Sequence, residues 1–107
     1  VGGKVTSDDR QQNLRLLEAT AGMTANQRLV VMLYALHPTD RSGAVLETAA
    51  QLAKLVGMAP PVFSRTRKQV IELGWLEQTE KIGHIKYYRL TPGQLGERVV
   101  VPFRRAT

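Results

Sequence analysis

The stretch Pro60-Pro61-Val62-Phe63-Ser64-Arg65-Thr66-Arg67-Lys68 holds the residues of this chain best suited to binding a polyanion. If it is helical, Ser64, Arg65 and Lys68 share one side, with Pro61 one turn earlier and Arg67 on a flank. A guanidinium can grip a phosphate or a guanine edge through two parallel hydrogen bonds, an ammonium neutralises backbone phosphate, and a hydroxyl can serve either role. No carboxylate intervenes before Glu72. Downstream, Lys81, His84 and Lys86 fall at the tip of an expected hairpin. Taken singly, Arg67 and Lys68 read equally well as solvated helix residues, and Lys81 as an ordinary turn lysine. A basic helix face together with a basic hairpin tip favours duplex DNA, where phosphate contacts supply affinity and one protruding element reads base edges.

The charge distribution points the same way. The formal net charge is +6 over 107 residues; residues 1–60 carry six Lys/Arg against five Asp/Glu, and residues 61–107 carry nine against four. The excess therefore falls on the second half, where the candidate residues lie. A surface made basic for solubility is the plain alternative.

Other chemistry finds little support. There is no cysteine, which excludes disulfides, thiolate nucleophiles and cysteine-ligated zinc. The two histidines, His37 before a proline and His84 at the hairpin tip, lack a second ligand at metal spacing. Glycine spacing matches neither a phosphate-binding loop nor a dinucleotide fingerprint. Asp8-Asp9 reads as a helix cap and dipole partner, not a carboxylate dyad. Trp75, Tyr87 and Tyr88 could stack on single-stranded bases, yet their alternation fits core and strand positions better. The expectation is a non-enzymatic protein with no catalytic residue, metal or cofactor. With no apolar run of about 18 residues and no apolar leader, a cytoplasmic location is expected. Val1 in place of an initiating Met is what processing or excision from a longer chain would leave.

The elements that must position these residues follow in chain order. Leu14, Leu17 and Ala21, with Leu16 beside them, predict a leading helix that ends at Gly22. Its apolar stripe either docks on the core, the favoured reading, or pairs with a second subunit. Thr24 and Gln27 form a capping box for a core helix over Ala25 to Leu36 that buries Leu29, Val30, Leu33 and Leu36. Arg41-Ser42-Gly43 is a turn, and Ala44-Val45-Leu46 a short strand that could join the hairpin. Thr48 caps a helix burying Ala49 or Ala50, Leu52 and Leu55, which Gly57 stops. Prolines in the first turn open the next helix, whose inner face is Phe63, Thr66, Val70 and Leu73. After Gly74 come two strands; a three-residue loop Lys81-Ile82-Gly83 would pair Leu76 with Tyr88 and set Glu77 opposite Tyr87. Thr91-Pro92 would start a weak fifth helix, and Val99-Val100-Val101-Pro102-Phe103 is a strand or an arm on a partner. Residues 1–23 form the arm and leading helix, 24–93 the domain proper, and 94–107 a tail.

Val62-Phe63-Ser64-Arg65-Thr66, followed by Leu73-Gly74-Trp75-Leu76, resembles the recognition helix and strand opening of winged helix-turn-helix regulators. Lys86-Tyr87-Tyr88-Arg89-Leu90-Thr91-Pro92-Gly93 is similar to the second wing strand and its exit in that superfamily. The resemblance covers Thr24 to about Gly93. It implies a mainly α fold with a small antiparallel β wing: a three-helix core flanked by terminal helices. It further implies that Ser64, Arg65 and Lys68 face the major groove and that Lys81 and Lys86 belong to the wing. One departure is visible: such helices usually start with Ser or Thr, whereas Ala59-Pro60-Pro61 stands here and removes a hydroxyl and up to two backbone donors.

The expected function is sequence-specific double-stranded DNA binding by a transcriptional regulator, with Pro61, Ser64, Arg65, Arg67, Lys68, Lys81, His84 and Lys86 as the contact set. A homodimer formed through the leading helix or the C-terminal run would read a two-fold site with half-sites about one helical turn apart. No pocket for a small-molecule effector can be inferred. Two alternatives stand beside this: a plasmid or phage replication or partition module, and a winged helix that docks a protein through an apolar or acidic outer face, which an outward Phe63 would favour.

Overall fold

The computed structural model describes residues 7–91, without the side chains of Ser7, Asp8, Asp9, Glu80 and Lys81. Four helices, α1 (Ser7–Ala19), α2 (Ala25–Leu36), α3 (Ala49–Leu55) and α4 (Pro60–Glu72), precede an antiparallel hairpin of β1 (Leu76–Ile82) and β2 (Ile85–Leu90). The expected fifth helix and the Val99–Phe103 segment lie outside the described residues.

Local chemistry sets the helix ends. The Thr24 hydroxyl accepts from the Gln27 N–H at 3.2 Å while Gln27 Oε1 accepts from the Thr24 N–H at 3.1 Å. Thr48 and Gln51 repeat this box at the start of α3, at 3.2 and 2.9 Å, so both helices satisfy two orphan donors from their own sequence. α4 opens from Ala59 with no side-chain cap and prolines in its first turn, where missing N–H groups cost nothing. α3 and α4 then end alike. The Met58 N–H bonds to the Ala53 carbonyl and Gly57 to Lys54; Trp75 bonds to Val70 and Gly74 to Ile71. In this double closure the glycine takes a left-handed conformation, with φ +74° at Gly57 and +87° at Gly74. The link from α3 to α4 is therefore short and fixed, and the same device aims the chain from α4 into the hairpin.

The core gathers Leu16, Val30, Val31, Tyr34, Val45, Leu52, Phe63, Val70, Trp75 and Leu76. Several faces differ from the sequence expectation. α1 ends at Ala19, earlier than Gly22; Leu16 and, just past the helix end, Thr20 face inward, while Leu14 and Leu17 face out. The buried Thr20 hydroxyl donates within the last turn, to the Leu16 and Leu17 carbonyls, each at 3.1 Å, so its polarity costs little. α2 buries Val30, Val31, Leu33 and Tyr34 and leaves Leu29 and Leu36 exposed. α3 buries Leu52 and Ala53, with Leu55 exposed. On α4, Phe63, Thr66 and Val70 are buried as expected, but Leu73, at the C-cap, is exposed.

The hairpin register also differs. Leu76 pairs with Leu90, Glu77 with Arg89 and Gln78 with Tyr88; then a bulge sets Lys81 opposite Lys86 and Ile82 opposite Ile85. Two causes combine. The loop is a two-residue Gly83-His84 turn with Gly83 at φ +64°, the first-position glycine of a II′ turn. Thr79 and Glu80 together oppose Tyr87, and the Thr79 hydroxyl donates to the Tyr87 carbonyl at 3.2 Å. Val45 joins Tyr88 by a single bridge, so the expected third strand is one residue wide. Arg89 secures this corner. It bonds Glu77 at 2.7 Å through Nε and the Ser42 carbonyl at 2.8 Å through Nη1. The Asp40 carboxylate organises the same turn by accepting from the Ser42 hydroxyl and the Ala44 N–H, and these bonds, the Ser42 hydroxyl foremost, lower its pKa.

Gly57 and Gly22 make a controlled comparison. A Cβ at either meets nothing within 4 Å, but only Gly57 has positive φ. Gly57→Ala should therefore lower unfolding stability by about 1–2 kcal/mol through backbone strain alone, while Gly22→Ala should stay within about 0.5 kcal/mol; urea denaturation of both variants checks this.

Candidate nucleic-acid interface

Burying Phe63, Thr66 and Val70 rotates α4 so that Pro61, Ser64, Arg65 and Lys68 are all exposed. Among the described residues Arg89 pairs with Glu77 at 2.6 Å, and His37 lies 3.8 Å from Glu47, an ion pair only when the imidazole is protonated. Arg65 and Lys68 are in neither, so the outer side of α4 keeps two cations without carboxylate partners among the described residues. On the flank beside Arg65, one turn further along, α4 is tied to α2 by Gln27 Nε2, which donates to Gln69 Oε1 at 3.0 Å.

Arg67 turns towards the hairpin and does not simply sit in solvent. Its guanidinium carbon lies 4.5 Å from the Tyr88 ring centre and 5.4 Å from that of Phe63, and Nη1 donates to the Tyr34 hydroxyl at 3.3 Å. One side chain thus joins α2, α4 and β2. The cation stacks on two aromatic faces, each attractive to positive charge. Tyr34 responds: burial raises its pKa, and the hydrogen bond from Arg67 partly opposes the rise.

Arg67 also lines a cleft of about 370 Å³ between the start of α3 and the hairpin, together with Thr48, Ala49, Ala50, His84, Ile85 and Lys86. The structure brings three of the sequence candidates, Arg67, His84 and Lys86, to one concavity. Ser64, Arg65 and Lys68 are not part of it; they continue outward on α4 from Arg67. His84 occupies the second position of the turn and Lys86 follows on β2, both exposed. Lys81 pairs with Lys86 through the backbone. The Thr48–Ala50 wall was not among the sequence candidates: in the sequence these residues mark only a helix start, and nothing local signals that the hairpin folds over it.

The arrangement holds cations at two depths, a fixed guanidinium in the cleft and free ones on the helix and hairpin. Such a surface suits a repeating anion better than a single small one. Among the described residues no group of three or more His, Cys, Asp or Glu could hold a metal ion, and no helix is long and apolar enough to cross a membrane.

Arg67→Ala should cost about 1–2 kcal/mol of stability from the lost ring contacts and hydrogen bond, whereas Arg65→Ala and Lys68→Ala should each stay within about 0.5 kcal/mol; thermal or urea unfolding separates the two roles. The raised Tyr34 pKa makes ionisation unfavourable in the folded state. Its contribution is complete below the ordinary value of 10.0 and is lost as pH rises through the higher folded value. Tyr34→Phe should therefore make the alkaline fall in stability shallower, as read by unfolding between neutral pH and pH about 11. Comparison with family models, with curated proteins and with solved structures gave no match, so what this surface does has to come from its own chemistry.

Proposed function

We propose that this domain binds double-stranded DNA in a sequence-specific manner, as a winged helix-turn-helix transcriptional regulator. α4 enters the major groove, and the β1–β2 hairpin acts as the wing along the neighbouring backbone. The observation that carries the reading is the outer face of α4, where Ser64, Arg65 and Lys68 stand exposed and without carboxylate partners among the described residues, directly above a buried Phe63-Thr66-Val70 face. Arg65 reads a guanine edge or grips an adjacent phosphate, Ser64 and Pro61 lie against the groove wall, and Lys68 neutralises backbone. The Arg67, His84 and Lys86 cleft takes a phosphate of the same strand, with Lys81 beside it on the wing. A protein-docking role for this face would need apolar or acidic groups on the outside of α4. Phe63, the residue that could have supplied one, has 0 % of its surface exposed.

The functional test separates reading from positioning. Arg65→Ala should cost about 1–3 kcal/mol on the best site and relax specificity at one position; unchanged affinity there would remove Arg65 from base readout. Replacing Lys81 and Lys86 together with Ala should weaken binding to all duplexes alike and flatten the salt dependence by about one to two units of slope. A loss confined to one sequence would contradict a phosphate role for the hairpin.

A further inference from the structure

The hairpin tip carries an apolar pair where a turn in solvent would ordinarily be flanked by polar side chains. Ile82 and Ile85 border the Gly83-His84 turn and stand directly opposite each other in the ladder. Residues paired in this way lie on the same side of a hairpin, with Cβ atoms about 5 Å apart. Ile82 is 59 % exposed and Ile85 42 %. Neither packs on the core, whereas Leu76, Tyr88 and Leu90, nearer the base of the same strands, do. The hairpin is thus anchored at its base and presents two stiff, β-branched side chains at its free end. A single exposed isoleucine is ordinary; two side by side at a protruding tip are not explained by the packing of this fold.

The surroundings of the pair are cationic. Ile85 lines the same cleft as Arg67, His84 and Lys86, and no acidic side chain lines it among the described residues. Arg67 is half-buried there, drawn inward by the Tyr88 ring and the Tyr34 hydroxyl. An anion that reaches this guanidinium must enter the cleft, and a chain of anions doing so runs past the tip. A flat anionic surface, such as a lipid bilayer, could meet the tip but not the recessed Arg67. The minor groove of duplex DNA suits both features: phosphates form its rims, and sugars and base edges between them accept apolar groups.

We infer that the Ile82-Ile85 pair is a wedge. The hairpin tip enters the minor groove, the two side chains press between adjacent base pairs, and the duplex bends away from them towards its major groove. This inference rests on the DNA binding proposed above and adds to it a deformation of the DNA. Pyrimidine–purine steps unstack most easily, so the wedge favours a TA or CA step that no polar group of the hairpin reads.

The test uses the full chain and a duplex of about 30 base pairs, taken from the tightest binders of a random pool and carrying a fluorophore at each end. Fluorescence anisotropy reports binding, and energy transfer between the ends reports bending. Wild type should raise energy transfer to the level of a bend of about 20–90°. Ile82→Thr/Ile85→Thr changes two exposed positions and keeps strand-favouring side chains, so its far-UV circular dichroism should match wild type. That variant should bind within about tenfold of wild type, with the same salt dependence, and lose most of the bend. Ile82→Leu/Ile85→Leu, which keeps the apolar groups, should retain it. A duplex left straight by wild type overturns the wedge while DNA binding stands, and so does a bend that survives the threonine variant. Failure to bind any duplex removes the DNA reading and the wedge together. Capture of wild type, but not of the threonine variant, by anionic phospholipid vesicles would in that case make the tip a membrane contact instead.

Discussion

Phe63, Thr66 and Val70 leave almost no surface to water, and that burial fixes the rotation of α4 about its own axis. A ring the size of Phe63 contributes several kcal/mol when removed from solvent in a packed core, far more than any single exposed cation contributes to folding. The outward direction of Ser64, Arg65 and Lys68 is thus a consequence of packing. The two glycine closures, at Gly57 before α4 and Gly74 after it, add the second constraint. They set the short link between α3 and α4 and send the chain into Trp75, itself buried, which ties the start of the hairpin to the core.

Under the proposed DNA binding, Arg67 would serve both stability and recognition. Stacked against Tyr88 and Phe63 and bonded to Tyr34, it has little conformational freedom left to lose on meeting an anion. Arg65 and Lys68, unclasped, can adapt to a partner but lose rotamer entropy in doing so. On a phosphate backbone, as proposed, one fixed and several mobile cations would combine a set register with tolerance in the neighbouring contacts.

Much of this frame was legible in the sequence, and the failures share physical causes. Thr24-Gln27 and the stop at Gly57 are local signals, decided by bonds within a few residues, and they hold in the fold. The inner face of α4 was readable because its apolar residues alternate with polar ones. α2 was not, because Leu29 to Leu36 is apolar at nearly every position and periodicity cannot choose among its sides. Just past α1, Thr20 is counted as polar in any pattern, yet it is buried with its hydroxyl satisfied by the carbonyls of the last helical turn, and the expected stripe faces outward. The register slipped because one bulge residue and a Gly83-His84 turn depend on pairing between strands, not on either strand alone. The cleft formed by Arg67, His84 and Lys86 depends on contacts between residues far apart in the chain, and no spacing rule reports those.

The most direct test of the central claim is binding of the full chain to a pool of random-sequence duplex DNA at low and moderate salt, followed by selection of the tightest binders. Binding that falls steeply with salt, together with enrichment of a defined sequence, is the predicted result. No binding at low salt would contradict it, since a surface with these unpaired cations would then have some other partner.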